Sequence, residues 1–240
     1  MSPRFSLVIP AYNEQDYLPR LLDSVDRARE RFEGGAVEVI VADNASTDAT
    51  AKIAADRGCR VASVEKRAIA SARNGGAAIA EGEVICFADA DMQLHADTFN
   101  AIDERMRSGE CIGGATDLVP ERWSLGLLAT FALLKASIAI QRVNGGTIFC
   151  DAAAFREIGG YNEEKRYAED MEFFLSMRKL GKRRGLKTVL KTRARTTISM
   201  RKFDKHGDWH MLYMLWWIPL RYGSMKNLVE AYWYDDDDRF

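Results

Sequence analysis

Two aspartates separated by one small residue, Asp89-Ala90-Asp91, follow directly on the apolar run of residues 84–88. On a loop leaving a buried strand, both carboxylates can approach one hard divalent cation, which prefers oxygen ligands and keeps positions open for phosphate oxygens. A diphosphate bound to such a cation leaves more readily, because its developing charge is neutralised. The competing reading is an ordinary surface turn. Two further polar clusters also sit just past apolar runs. In Asp43-Asn44-Ala45-Ser46-Thr47-Asp48, Asp43 can accept a hydrogen bond from a base N–H; alternatively the cluster is an Asx turn, with Asp48 as a helix cap. In Pro10-Ala11-Tyr12-Asn13-Glu14, Tyr12 can stack on a nucleobase or serve as a rim aromatic. Arg67 and Arg73 flank a helix start, where they can contact a diphosphate or orient the acidic groups. Asn74-Gly75-Gly76 lacks the Walker spacing and its lysine, so a P-loop is rejected.

The second half carries one more carboxylate pair, Ala168-Glu169-Asp170, at the start of a helical pattern. A carboxylate there can be kept ionised by the helix N-terminus and act as a general base, or can simply cap the helix. Glycines in Asn144-Gly145-Gly146-Thr147 and Gly159-Gly160-Tyr161-Asn162 would let backbone approach a sugar, or else make two tight turns. His206 and His210, four residues apart, would share a helix face. They lack a third zinc ligand; a single histidine, His206, completing the coordination at Asp91 is the better metal reading.

These residues need a scaffold. Residues 5–9, 37–42, 60–64 and 84–88 read as strands, and the segments between them recur apolar at helical spacing, as with Leu18, Leu21, Leu22 and Val25. That alternation predicts βαβ units with ligands at the carboxyl ends of the strands. Further on, residues 125–142, 152–158 and 170–180 read as helices, and 145–150 and 188–192 as strands. No repeat or domain boundary is visible. A 47% hydrophobic and 29% charged composition suits one globular α/β unit over residues 1–240.

The net charge of −1 supplies no global attraction to nucleic acid. Four cysteines without CxxC spacing predict reduced thiols in a cytoplasmic protein. The opening runs straight into a strand, without the basic start of a signal peptide. The longest apolar run, residues 125–140, is interrupted by Lys135 and is too short to span a bilayer. It reads as a core or homodimer-interface helix, with Trp209, Tyr213, Trp216 and Trp217 as an aromatic acceptor platform. The alternative is peripheral membrane contact, since Arg201, Lys202, Lys205 and Arg221 lie near those aromatics; the acceptor would then be lipid-linked. The Asp235–Asp238 run reads as a solvated tail.

Taken in order, the segments 8–14, 43–48, 70–74, 88–91, 159–162 and 169–170 resemble the family 2 glycosyltransferases of GT-A fold, over about residues 6–180. The resemblance implies a Rossmann-like, mostly parallel sheet flanked by helices, with a donor-binding half at 1–115 and a helical, aromatic acceptor half at 116–240. It implies that Pro10, Ala11, Tyr12, Glu14, Asp43 and Arg73 hold the nucleotide, with Arg67 and Ala90 in the same site. Asp89 would contact the ribose or the metal, and Asp91 would ligate Mn²⁺ or Mg²⁺. Asp170 would deprotonate an acceptor hydroxyl with Glu169 supporting it, and the sugar would invert. UDP-sugars are the favoured donors, and carbohydrates or lipid-linked sugars the acceptors, in polysaccharide or glycolipid synthesis. Met200-Arg201-Lys202 is similar to a basic stretch that closes over the diphosphate in some relatives. Asn44 departs from the pattern, because many relatives carry a second aspartate there.

Two other functions compete. A nucleotidyltransferase would place a glycine-rich basic loop after the first strand, where this chain has Pro10 to Glu14, which is acidic. A silent nucleotide-sugar-binding or scaffold protein would not need Asp89, Asp91 and Asp170 together.

Overall fold

The computed structural model describes residues 2–165 and 168–213. Trp216, Trp217, Arg221 and the aspartate run at 235–238 lie outside the described residues.

The first half alternates as its pattern predicts: β1 (Phe5–Ala11), α1 (Leu18–Glu30), β2 (Val37–Asp43), α2 (Thr50–Asp56), β3 (Arg60–Ser63), α3 (Ile69–Ala78) and β4 (Val84–Phe87). Then follow α4 (Thr98–Arg107), β5 (Cys111–Ala115), β6 (Asp117–Pro120), α5 (Leu125–Gln141), β7 (Ile148–Asp151), α6 (Ala152–Ile158), α7 (Glu169–Arg183), β8 (Lys187–Val189), β9 (Arg195–Ile198) and α8 (Arg201–His206). Seven strands form one sheet in the order β3-β2-β1-β4-β7-β5-β8, and β6 pairs with β9 separately. β3, β2, β1 and β4 run parallel, whereas β7 is antiparallel to both β4 and β5.

Alternation along each strand divides the core between the two faces of the sheet. Phe5, Leu7 and Ile9 of β1 join Val37, Val39 and Val41 of β2 against α1 and Phe99 of α4. Val8, Ile40 and Ile85 point the other way, with Phe155 of α6 and Phe173 of α7. Pro10 sits inside a central strand, where a missing N–H normally breaks the ladder. It is tolerated because the β1–β4 pairing ends at Val8 and Phe87, with only the Ala88 N–H reaching back to the Val8 carbonyl at 3.2 Å. Alternation aims Pro10's nitrogen to that same side, past the last rung.

β5, which is not among the strands expected from the sequence, is rich in glycine. A Cβ on Gly114 would lie 2.2 Å from the Val189 carbonyl oxygen, so glycine is what lets β8 close on β5. α3 makes an equally close approach to β1: a Cβ on Gly76 would lie 2.5 Å from Val8 Cγ1 and 3.2 Å from Ala42 Cβ. Helix propensity favours alanine over glycine by about 1 kcal/mol, but overpacking a core costs about 1–3 kcal/mol. Gly76→Ala should therefore lower the urea midpoint, with a net loss of about 1 kcal/mol; an unchanged or higher midpoint would show that α3 can move off the sheet.

All four cysteines are free. No described helix is long and apolar enough to cross a membrane.

Candidate active site

β1 lies between β2 and β4, so the chain order reverses beside it, and polar loops leave the same edge of the sheet. Ala11 pairs with Asp43 in register, and Ala88 continues alongside Val8, which brings Asp89 to that edge.

At its centre is Arg73 of α3, only 3% exposed. Its Nη2 lies 2.9 Å from Asp89 Oδ1; its Nη1 lies 3.0 Å from Glu169 Oε1 and 2.7 Å from Asp170 Oδ1. One planar guanidinium thus gathers carboxylates from the two halves of the chain, a task that suits a fork of donors better than an ammonium. Tyr161 lies under it, 5.1 Å from the ring centroid to Cζ, and is itself stacked on Phe173 at 4.4 Å. The carboxylates hold Arg73 well above its ordinary pKa despite its burial.

Asp170 occupies the second position of α7, whose first turn also contains Glu169 and Glu172. It does not cap the helix: Ala168 takes that place in a left-handed conformation, φ 55°, without a side-chain bond. Nor does the helix end keep Asp170 strongly acidic. Burial pushes its pKa up to about 7; Arg73 pulls it back, while Glu169 and Asp89 push it further up. Such a value is better matched to a general base near neutral pH than that of a solvated aspartate.

A second arginine, Arg201 of α8, closes the other side. It grips Glu14 with both terminal nitrogens at 2.8 and 3.0 Å, and its Nε lies 3.0 Å from Asp91 Oδ2. Its guanidinium also lies over Tyr17, 4.7 Å from the centroid. Burial raises Asp91 to about 6, with Arg201 opposing and Asp89 and Glu14 reinforcing the shift.

The metal set expected at Asp91, Asp89 and His206 is not assembled. Among the described residues no three His, Cys, Asp or Glu side chains come together as a metal-binding group. Asp91 faces Arg201, and His206 stacks on His210 at 4.8 Å. What remains is a pair of carboxylates, Asp89 and Asp91, each giving one oxygen to an arginine. Two carboxylates suit a cation that takes its other ligands from phosphate and water.

The loops after β1 and β2 are laced together. Asn13 N–H donates to Ser46 Oγ at 3.0 Å, Thr47 N–H to Asn13 Oδ1 at 2.9 Å, and Glu14 N–H to Thr50 Oγ1 at 2.8 Å. Asp48 accepts from Thr50 N–H at 2.9 Å and Gln15 N–H at 3.1 Å, so it joins the loops as well as holding the start of α2. Asp43 accepts from Ser46 N–H, three residues on, at 3.4 Å. Tyr12 is buried, with Arg67 over its ring at 4.0 Å, so one face already carries a cation.

Asn44 explains its departure from the expected aspartate. Its Nδ2 donates to the carbonyls of Val64 and Lys66 at 3.0 and 2.7 Å, which a carboxylate could not do. The glycine motifs are structural too. Gly160 and Tyr161 pack on Asn74, whose Oδ1 accepts from Tyr161 N–H at 2.8 Å while its Nδ2 donates to Tyr161 O at 2.9 Å. Asn144 donates to the carbonyls of Thr116 and Leu190, both at 2.8 Å. The role of Tyr161, whose ring lies beneath Arg73, has no signal in the sequence.

The profile of the family described as Glycosyl transferase family 2 matches residues 6–156. The chain belongs to this family. The match covers the β1, β2 and β4 loops and Arg73, and it ends before Glu169 and Asp170. Among curated relatives, the undecaprenyl-phosphate 4-deoxy-4-formamido-L-arabinose transferase of Pseudomonas paraeruginosa is 31% identical over 157 residues, 58% of this chain and 42% of that protein. The poly(ribitol-phosphate) β-N-acetylglucosaminyltransferase TarS of Staphylococcus aureus is 31% identical over 101 residues, 40% of this chain and 17% of TarS. The chain thus spans less than half the length of either. The mannosyltransferase PcManGT of Pyrobaculum calidifontis, solved with GDP-Man and Mn²⁺, superposes with a TM-score of 0.64 at 19% identity, over 82% of this chain and 57% of that one. TarS residues 1–349, solved with UDP, gives 0.61 at 20% identity, over 84% and 62%. These similarities establish the GT-A glycosyltransferase fold for this family 2 chain.

Proposed function

We propose that the protein transfers a sugar from a nucleotide-sugar donor, a UDP-sugar in the favoured case, to an acceptor hydroxyl with inversion. The single observation that carries this reading is the Arg73 cluster, which puts Asp89 of the donor half within reach of the same guanidinium as Glu169 and Asp170 of the acceptor half. Solved fold relatives hold UDP, UDP-GlcNAc, or GDP-Man with Mn²⁺, which supports a donor of this class. The acceptor is a carbohydrate or a lipid-linked group; one curated relative is named for undecaprenyl phosphate. Free, mostly buried thiols suit the cytoplasm.

In this reading the loops after β1 and β2, with Pro10, Ala11, Tyr12, Glu14 and Asp43, hold the nucleoside, and Arg67 and Arg73 lie toward the diphosphate. Asp89 and Asp91, with Ala90 between them, would hold Mn²⁺ or Mg²⁺, which when bound neutralises charge on the departing diphosphate. Asp170 takes the proton of the acceptor hydroxyl as its oxygen bonds to the anomeric carbon and the bond to the diphosphate oxygen breaks. Attack from the face opposite the leaving group inverts the centre. Glu169 keeps Arg73 in place for Asp170.

Nucleotide release tests the reading. With Mn²⁺ and a panel of UDP- and GDP-sugars, one donor should yield free nucleoside diphosphate, and EDTA should suppress it. No release from any donor, with or without simple sugar acceptors, would favour a binding or scaffold protein.

A further inference from the structure

We propose that α5 and the adjoining stripe of α7 form a surface that docks onto an anionic lipid bilayer. α5 is apolar except for Thr130, Lys135, Ser137 and Gln141, and so apolar a helix needs cover on more than one side. Its inner face has that cover: Leu127 and Phe131 pack with Met200, Ile198 and Phe203. Its outer face has none among the described residues. Leu125, Leu128, Leu133 and Ile140 are 77, 56, 51 and 82% exposed, and Ala132, Ala136 and Ala139 fill the turns between them. A soluble surface seldom leaves a stripe of this kind facing water.

What surrounds the stripe selects the partner. At its start Trp123 is exposed, with Trp209 and Tyr213 of the following segment also exposed, the residue types that settle at the headgroup level. At its end the chain is basic. Arg178 of α7 donates to the carbonyl of Gln141 at 3.2 Å, fixing α7 beside the last turn of α5. Met171 and Leu175 are exposed on α7, followed at helical spacing by exposed Lys179 and Lys182, with exposed Arg142 nearby in the chain. A protein of net charge −1 thus gathers cations where its apolar face ends, the charge arrangement that complements acidic headgroups. Lys135 lies at the margin of the stripe, where a lysine can bury its stem and keep its ammonium among the headgroups. A second copy packed antiparallel on this helix would instead bring two Lys135 residues toward one apolar seam. With 17 residues α5 lies in the interface rather than across it.

Met171 and Asp170 share the first turn of α7, so a lipid-borne acceptor would be delivered to the end of the helix that carries the proposed base. In that purpose the inference rests on the transfer reading, but its test does not. Co-sedimentation is measured without donor, metal or turnover, using vesicles of phosphatidylcholine alone and with ~30% phosphatidylglycerol. Wild type should partition onto the anionic vesicles at least ~10-fold more strongly than onto the neutral ones, and less so at high salt. Leu128→Glu with Leu133→Glu should abolish binding, and Lys179→Glu with Lys182→Glu should remove the preference for anionic lipid, all with unchanged circular dichroism. Wild type remaining in the supernatant would overturn the proposal. So would a solution dimer that Leu133→Glu dissociates, or vesicle binding unaffected by these substitutions. Failure here would leave transfer to soluble acceptors intact, and absence of transfer would leave vesicle binding intact.

Discussion

Asp170→Asn should lower kcat about 10³-fold while nucleotide affinity stays within about threefold of wild type, because a positioned general base contributes about 10²–10⁴. Asparagine keeps the size of the side chain and can still sit beside Arg73, but it cannot take a proton. Steady-state turnover and nucleotide titration on the same preparation separate the two effects; a parallel loss of both would make Asp170 a donor-site residue instead. The pKa adds a check of sign. With a folded-state value of about 7, the base form is lost as pH falls, so kcat/KM should decline on the acid side with a midpoint near 7. Stability runs the other way. A carboxyl raised above its unfolded value costs stability once ionised, and the cost grows as pH rises from about 4 through about 7. Asp170→Asn should thus raise Tm at pH 8 and gain much less at pH 5. An equal shift at both pH values would mean that the surroundings of Asp170 do not raise its pKa as described.

The largest stability effect should come from Arg73→Met. Removing it leaves Asp89, Glu169 and Asp170 facing one another without their shared cation; breaking a buried ion pair from one side costs about 3–5 kcal/mol, and the partial exposure of Asp89 and Asp170 puts this loss toward the lower end. For a chain of this length that is a fall in Tm of roughly 10 °C at pH 8. The loss should shrink at pH 5, where protonation of Asp170 relieves the repulsion. Arg73→Lys should recover part of the stability but little of the turnover, since one ammonium cannot serve three carboxylates in a fixed plane. A Tm for Arg73→Met within 2–3 °C of wild type, on the order of 1 kcal/mol, would show that the cluster contributes little to the fold.

The donor half was largely legible in the chain because its signals are local. Residues of β1 and β2 alternate between two faces, and the polar residues just past each strand can only lie at the sheet edge. The second half was less so, because its elements depend on distant partners. β5 is a strand only because Val189 and Phe149 lie against its glycines, and nothing in residues 111–115 announces those neighbours. Asp170 was found by type and position, yet its environment was misjudged: a helix end lowers a carboxyl pKa, and burial overrides it here. His206 is expected at the acidic pair as the histidine that completes the coordination at Asp91; in the structure it stacks on His210, and Arg201 reaches Asp91 instead. The basic stretch at 200–202 was visible, but the bidentate grip on Glu14 requires the loop after β1 to lie beside it. The exposure of α5 could not be foreseen either, because an apolar run reads as core until its surroundings are known.

The most direct test of the account is calorimetric titration of UDP, GDP and dTDP, each with and without Mn²⁺, into wild type and Asp91→Ala. One nucleotide, UDP in the favoured case, should bind only with Mn²⁺, and Asp91→Ala should abolish this binding. If no nucleotide binds with metal present, or if binding is indifferent to both Mn²⁺ and Asp91, the assignment of Asp89 and Asp91 to a metal–donor site is contradicted.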